Sequence, residues 1–113
     1  MYITSDTSET TVVATRCEFS NSGCGAAIEG SLTSATFNNC IFNDNVGDGI
    51  QGIESTIHLH GEATAIHSNE DDGILAVRFG KVVIHLPSHH NTSYNNRGED
   101  RKTISGGTIT NVD

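Results

Sequence analysis

Residues 40–50 read CIFNDNVGDGI, and residues 65–74 repeat the same pattern as AIHSNEDDGI. The matched positions, all at one constant interval, are Phe42, Asn45, Gly49 and Ile50 in the first copy and Ile66, Asn69, Gly73 and Ile74 in the second. An earlier copy places Cys17, Phe19 and Ser22 one repeat before Cys40, Phe42 and Asn45. Self-similarity at a period of about 20–50 residues is typical of repeat proteins, whose units stack on one another. The sequence therefore predicts a solenoid.

Further copies follow toward the C-terminus. The triplet Ile57-His58-Leu59 recurs as Ile84-His85-Leu86, and Asn96 follows Asn69 at the same, slightly longer interval. Residues 106–112, GGTITNV, have the pattern of an opening strand of one more coil. We therefore expect about four to five coils, with Phe19, Phe42 and Ile66 in one column. Asn side chains at one turn of successive coils could hydrogen-bond the backbone of their neighbours, which would satisfy a buried amide.

Composition and alternation indicate that the coils are built from strands. Ile and Val supply 18 residues and Leu only four, and β-branched side chains suit a pleated sheet better than a helix. Apolar residues recur at every second position, so one face of each strand points inward. The predicted inward residues are Cys17, Phe19, Cys40, Phe42, Ile57, Leu59, Val82, Ile84 and Leu86, and the predicted outward residues include Arg16, Glu18, His58 and His85.

The alternative architecture is a β-sandwich of hairpins. Hairpins are marked by two-residue Asn-Gly or Asp-Gly turns at short, irregular spacing. Asp48-Gly49 and Asp72-Gly73 do occur, but both stand at the same place in the repeat. This regularity favours the solenoid.

The form x-F-x-x-N-x-x-x-G-I in residues 40–50 and 65–74 resembles the right-handed parallel β-helix repeat of the pectate-lyase-like superfamily. The resemblance covers about residues 12–112, and the first copy departs from it at Ser22 and Ala26, which replace the Asn and the Gly. It implies an all-β fold, a right-handed parallel β-helix. It does not select a function, because this superfamily includes polysaccharide lyases, glycoside hydrolases, epimerases and phage adhesins.

The chain divides by composition into an N-terminal polar segment or partial cap, residues 1–11, and β-helix repeats over residues 12–113. An extended polar loop is expected at residues 88–105. An uncapped solenoid end exposes strand edges and apolar core. We therefore expect either a piece of a longer β-helix or end-to-end self-association of chains.

Charge and hydropathy exclude several classes of partner. Six basic and 14 acidic residues give a net charge of −8, which argues against a nucleic-acid-binding surface. No apolar run approaches the roughly 20 residues that cross a bilayer, and the first residues lack the features of a signal peptide. No membrane partner is expected, and the compartment stays open. Three cysteines, an odd number, argue against a disulfide framework.

The six histidines all lie between residues 58 and 90. Alternation places His58 and His60 on the outer face of one strand, and the triplet repeat places His85 beside His58 on the next coil. The resemblance implies a carbohydrate-binding cleft on such a flank, so the candidate catalytic residues are His58, His60 and His85, with Arg78 and Lys81 as lyase bases. Zinc would need three or four converging ligands, with Glu62 as a fourth. The alternative is a solvated row of imidazoles.

The acidic residues Asp48, Asp71 and Asp72 form a second candidate site. Asp48 and Asp72 fall in register, and carboxylates about 5 Å apart repel unless one is protonated or a cation lies between them. Oxygen ligands in a turn suit calcium. Alternatively, these residues simply form turns. No other cofactor is expected.

The loop that follows Ser88 is the third candidate site. His89, His90 and Tyr94 could stack on a sugar ring, with Asn95 and Arg97 as polar partners. The alternative is an extended turn of the coil, in which Asn96 occupies the same turn position as Asn45 and Asn69 in the preceding coils.

The function that these patterns favour is a non-catalytic β-helical scaffold or binding module, for polysaccharide or as a segment of a longer β-helical protein. The alternative is a carbohydrate-active enzyme of lyase, epimerase or hydrolase type that acts on the outer face.

Overall fold

The computed structural model of the protein describes residues 1–5, 7–88 and 92–113, and this part of the chain is all-β. It contains no helix, and hence no helical segment that could cross a membrane. The fourteen strands, in chain order, are β1 Tyr2–Thr4, β2 Thr10–Thr15, β3 Glu18–Ser20, β4 Ala26–Glu29, β5 Thr33–Asn38, β6 Ile41–Asn43, β7 Ile50–Ile53, β8 Thr56–His60, β9 Ala65–His67, β10 Ile74–Val77, β11 Lys81–His85, β12 Ser93–Tyr94, β13 Arg101–Ile104 and β14 Thr108–Val112.

The strands form three parallel sheets, because each strand pairs with the strand three places later in the chain. The first sheet has the order β1-β4-β7-β10-β13, the second β2-β5-β8-β11-β14 and the third β3-β6-β9-β12. One strand from each sheet makes a coil, so the chain winds through about four turns and ends on β13 and β14. The prediction of an all-β parallel β-solenoid is confirmed.

Columns of inward side chains form the core. Phe42 lies between Phe19 and Ile66 in register, and its ring stacks on Phe19 and meets Phe37 edge-on, with both centroid distances 5.0 Å. In the second sheet Ala35, Ile57 and Val82 form another column and are fully buried. The columns predicted from the repeat of residues 40–50 are therefore present.

Left-handed residues make the corners of each coil. The positions that follow the strands of the third sheet, Asn21, Asp44, Ser68 and Asn95, all have φ between 54° and 60°. Gly30, Glu54, Arg78 and Ser105 follow the first sheet, and Arg16, Asn39 and Gly61 follow the second, again with positive φ. Asn, Asp and Gly tolerate this conformation at low steric cost, which explains the polar turns of the sequence.

An asparagine ladder joins the coils at the turns that follow the strands of the third sheet. Asn69 Oδ1 accepts hydrogen bonds from the backbone N–H and the Nδ2 of Asn45, while Asn69 Nδ2 donates to the Phe42 carbonyl and to Asn96 Oδ1. The predicted Asn column is present, and its amides are satisfied by the adjacent coils. Asp100 accepts from the N–H and Nδ2 of Asn96, so it ends the ladder in the place of one more Asn.

The predicted pairing of the triplets Ile57-His58-Leu59 and Ile84-His85-Leu86 is wrong. In the second sheet Ile57 pairs with Val82 rather than with Ile84, because the additional residues of this coil lie after β11. The register that buries Val82 and Ile84 leaves Leu86 beyond the strand, with 44% of its surface exposed. Cys17, in the first coil, is exposed, whereas Cys40 is buried as expected.

Two segments that composition sets apart contain solenoid strands. Tyr2–Thr4, within residues 1–11, pairs in parallel with Ala26–Glu29 and so belongs to the first coil. Ser93–Tyr94 and Arg101–Ile104 lie within the expected loop at residues 88–105 and pair with the third and first sheets. The polar loop is therefore interrupted by two strands.

The two ends of the solenoid differ in polarity. At the amino-terminal end the inward positions carry apolar side chains that are only partly buried: Met1, Ile3, Val12, Ala14 and Phe19. At the other end most corresponding positions are polar, because Arg101, Thr103 and Asn111 continue the columns of Ile74, Ala76 and Ile84. Arg101 Nη1 donates to Asn111 Oδ1 at 3.0 Å. Polar terminal repeats are typical of solenoid caps. Ile109, which continues the column of Val82 and is partly buried, is apolar, so the amino-terminal end is the more apolar of the two.

Candidate functional site

Three imidazoles converge on the outer face of the second sheet. His58 and His60 alternate with the buried Ile57 and Leu59 on β8, so both rings point outward. His85 projects outward from β11 in the column of His60, and these two rings stack with centroids 4.0 Å apart and planes 8° apart. His58 Nδ1 lies 2.9 Å from His85 Nε2, within hydrogen-bond distance. We call these three residues the His cluster, and the ligand nitrogens of all three lie within 4.8 Å of one another.

The environment of His58 and His60 favours their neutral form. Burial lowers the pKa of His58 below its ordinary value of 6.5, and the charges of His85 and Lys81 lower it further. Burial also lowers the pKa of His60, with contributions from His85 and then His58. Neutral imidazole has a free ring nitrogen for a proton, a metal ion or a hydrogen-bond donor.

The structure separates the two cationic candidates. Lys81 is the first residue of β11, and its side chain is exposed. It lies close enough to His58 for its charge to lower the pKa of that imidazole. Arg78 lies at the corner before β11, where Nη1 is 3.8 Å from Glu54 Oε1 on the preceding coil. Glu62 is exposed in the turn after β8 and is not among the groups whose ligand atoms converge here.

The predicted acidic residues also come together, as the Asp cluster of Asp48, Asp71 and Asp72. Asp48 Oδ1 accepts the backbone N–H of Asp72 at 2.8 Å, and Asp48 Oδ2 accepts Gln51 Nε2 at 2.7 Å. Asp72 Oδ1 in turn accepts the N–H of Glu99. Burial raises the pKa of Asp48, although its two hydrogen bonds lower it. The carboxylates of Asp48 and Asp72 thus link successive coils in the same manner as the Asn ladder.

The residues of the predicted binding loop after Ser88 fall into two sets. Some occupy ordinary positions of the coil, and the others lie outside the described residues. Tyr94 stacks on His67 of the adjacent coil, with centroids 5.0 Å apart and planes 9° apart. Asn95 is a left-handed corner residue whose carbonyl accepts from Ser68, and the N–H of Arg97 donates to the carbonyl of Asn69. His89 and His90 lie outside the described residues. Tyr94, Asn95 and Arg97 therefore belong to the solenoid wall.

A shallow polar pocket, which sequence reasoning missed, lies on the same sheet as the His cluster. Its walls include Glu9 and the column of hydroxyls formed by Thr11, Ser34 and Thr56. Buried Thr33 also lines it, and Thr33 Oγ1 has no hydrogen-bond partner in the described part of the chain. The signal in the sequence was the recurrence of a hydroxyl residue at equivalent outward positions of β2, β5 and β8.

No protein-family model, curated protein or solved structure matches the chain.

Proposed function

We propose that the protein is a non-catalytic β-helical scaffold that associates through the apolar amino-terminal end of its solenoid. The observation that carries the proposal is the contrast between the two ends. Val12 and Ala14 are partly exposed, although the residues of their columns in the next three coils are fully buried, and the column of Ala14 ends on the polar Asn111. Covering such side chains with another coil would bury apolar surface at about 25 cal/mol per Å².

The partner that fits this end is a second copy of the chain, related by a two-fold axis. A head-to-tail stack that continued the columns would place the polar Thr103 and Asn111 of one chain on Ile3 and Ala14 of the next, which leaves polar groups to be desolvated. It would bring together two apolar residues, Ile109 and Val12, in one column. Two amino-terminal ends facing each other bury apolar side chains on both sides. Such an isologous contact closes after two chains, with the end strands antiparallel across it.

The oligomeric state tests this proposal. Sedimentation velocity and light scattering of the full chain are expected to show a dimer that dissociates on dilution. Val12→Lys places a charge in the interface and is expected to give monomers. Val13→Lys is the matched control, because Val13 points outward on the same strand with 65% of its surface exposed. Far-UV circular dichroism verifies that both variants keep the β fold.

Other outcomes of this experiment would overturn the proposal. A chain that stays monomeric at every concentration has no associating end. Long filaments would indicate head-to-tail stacking instead of the two-fold contact. Equal dissociation of the dimer by Val12→Lys and Val13→Lys would place the interface elsewhere.

The same proposal includes membership of the pectate-lyase-like superfamily. Two findings support it, namely the parallel β-solenoid and the sequence form x-F-x-x-N-x-x-x-G-I, whose Phe42 and Asn45 positions stack in the expected columns. Members of a single fold have many functions, so this membership by itself implies no substrate.

Carbohydrate binding is the second candidate function, and the polar pocket favours it. Polyhydroxylated ligands are held by hydroxyl and carboxylate groups, and Glu9, Thr11, Ser34 and Thr56 supply both at one outer surface. A binding and turnover screen against neutral and acidic polysaccharides tests this function. Binding that Thr56→Val abolishes and Thr110→Val leaves unchanged would support it, since Thr110 is an exposed residue of the same sheet. Turnover that His58→Ala and His85→Ala abolish would instead establish the carbohydrate-active enzyme.

A further inference from the structure

We propose that the His cluster is a binding site for one divalent transition-metal ion of the zinc, copper and nickel class. The inference does not depend on association of the amino-terminal ends, because β8 and β11 are internal strands of the second sheet. It rests on the convergence of three imidazoles from two adjacent strands.

The spacing of the three ring nitrogens is close to what a tetrahedral ion requires. Zn–N bonds of about 2.0 Å place two ligand nitrogens about 3.3 Å apart. The His58 Nδ1 to His85 Nε2 distance is 2.9 Å, and all three ligand nitrogens lie within 4.8 Å of one another. Because the rings of His60 and His85 are stacked, their side chains must rotate about χ1 and χ2 to direct their nitrogens at one ion.

The backbone beneath the His cluster is well anchored. His58 flanks the buried Ile57 and Leu59 on β8, and His85 follows the buried Ile84 on β11. Strands β8 and β11 are each paired on both sides. A site on paired strands with packed inward neighbours holds its ligands in place before the ion arrives, so little ordering is needed on binding.

The His cluster is only partly exposed, because its three rings lie against one another on the sheet. Lys81 is the neighbouring cation, and its repulsion sets a limit on the affinity.

Nitrogen ligands determine which ions are bound. Imidazole suits zinc, copper, nickel and iron, whereas calcium and magnesium take oxygen ligands. Three protein ligands leave the fourth position of a tetrahedral ion open, and this outer face is exposed to solvent. The open position would take water or a carboxylate of a ligand on the outer face.

The first experiment is a calorimetric titration of the full chain with zinc chloride alone at about pH 7.5, above the ordinary imidazole pKa of about 6.5. One zinc ion per chain is expected. His60→Ala and His85→Ala are each expected to weaken binding at least about 10-fold, since even changes outside the ligand shell cost that much. His67→Ala is the matched control, because His67 also points outward but stacks on Tyr94 in the third sheet.

The second experiment reports geometry as well as affinity. Cobalt(II) is expected to give the intense visible absorption of a tetrahedral nitrogen site in the wild type and in His67→Ala, and to lose it in His85→Ala. The cation series should bind in the order copper above nickel above cobalt, with no competition from calcium. Zinc is also expected to raise the melting temperature of the wild type and of His67→Ala, and to leave those of His60→Ala and His85→Ala unchanged. Because each variant is compared with itself in the absence of zinc, this test stays valid if one variant is less stable.

Three results would overturn the assignment. Absence of zinc binding by the wild type is the first. The second is equal loss of binding in His67→Ala and His85→Ala, which would point to unspecific imidazole binding. The third is loss of binding in a His89→Ala/His90→Ala double variant with His60→Ala unaffected, which would move the ion to the segment after Ser88.

Discussion

The ring of His85 stacks on the ring of His60, 4.0 Å away on the neighbouring strand, and at the same time reaches the ring of His58. One residue thereby connects both outward imidazoles of β8. The contact exists because Ile57 pairs with Val82, two residues before the Ile84 that the repeated triplet would place opposite it. The His cluster is consequently more compact than a simple row of side chains.

Stability is expected to fall when the solution is made mildly acidic. The folded-state pKa values of His58 and His60 are below the ordinary value of 6.5, so below about pH 6.5 the unfolded chain binds more protons than the folded chain. Their contribution is fully present above that pH and is lost as pH falls toward the lowered pKa values. Urea unfolding at about pH 7.5 and about pH 5.5 measures the difference.

A double variant, His58→Gln/His60→Gln, is expected to show a smaller loss of stability between these two pH values than the wild type does. His67→Gln is expected to retain the wild-type loss, because His67 lies in the third sheet, outside the His cluster. The raised pKa of Asp48 acts with opposite sign, since its contribution is lost as pH rises, and it is common to all the variants. An unchanged pH dependence in the double variant would contradict this prediction.

Phe42→Ala is expected to lower the free energy of unfolding by about 3 to 5 kcal/mol. The ring is fully buried and contacts both Phe19 and Phe37, so its removal leaves a cavity between coils. Glu18→Ala is the control, because Glu18 is exposed on the outer face of the first coil. Denaturant unfolding should give a change of about 0.5 kcal/mol or less for this control. Similar losses at both positions would contradict the assignment of inner and outer faces.

Asn69→Ala is expected to cost about 3 kcal/mol or more, because buried polar groups are left without partners on two sides. The side chain makes four hydrogen bonds, two with Asn45 and one each with the Phe42 carbonyl and Asn96. Glu70→Ala changes the next residue of the same turn, whose side chain is exposed. If thermal melting of the two variants is alike, the ladder contributes nothing to stability.

Gly49→Ala is expected to destabilise the fold by about 1 to 3 kcal/mol through overpacking. A Cβ at this position would come within 2.5 Å of Ile66 Cγ2 and within 2.8 Å of the Gly73 carbonyl oxygen. Gly23→Ala provides the comparison, because a Cβ there meets no atom within 4 Å. The midpoint of denaturant unfolding is the measurement, and a tolerated alanine at Gly49 would contradict the close approach of the coils.

Calcium is expected to leave the melting temperature unchanged. Both Asp48 oxygens already accept hydrogen bonds, and Asp72 Oδ1 holds the N–H of Glu99, so a calcium ion would have to displace these contacts. Thermal melting with added calcium and with added chelator tests the expectation. A chelator-sensitive melting temperature that Asp71→Asn makes insensitive would instead establish a calcium site at the Asp cluster.

Local patterns in the sequence were enough to predict the repeat. Alternation of apolar and polar residues depends only on strand geometry, so the columns of Phe19, Phe42 and Ile66 could be read directly. The same holds for Asn45 and Asn69, since a turn of constant shape returns at a constant interval. The role of Asp100 at the end of the ladder could not be predicted in this way, because Asp100 follows Asn96 by only four positions instead of a full repeat.

The candidate sites depended on longer-range packing. A triplet match predicted that His85 adjoins His58, but register is decided by which residues the core accepts, and Leu86 is left outside. The polar pocket required knowledge of which hydroxyls share an outward column across three coils. Tyr94, Asn95 and Arg97 were expected in a loop, but their backbone hydrogen bonds with the previous coil make them part of the solenoid.

The amino-acid sequence by itself determined the all-β character, the coil period and the inner face of most strands, because these follow from side-chain shape and period-2 alternation within short segments. Only the tertiary structure decided which outward residues become neighbours and which end of the stack stays apolar. The reason is that the length of each corner shifts every later strand, and such shifts are resolved only when the coils close on a common core.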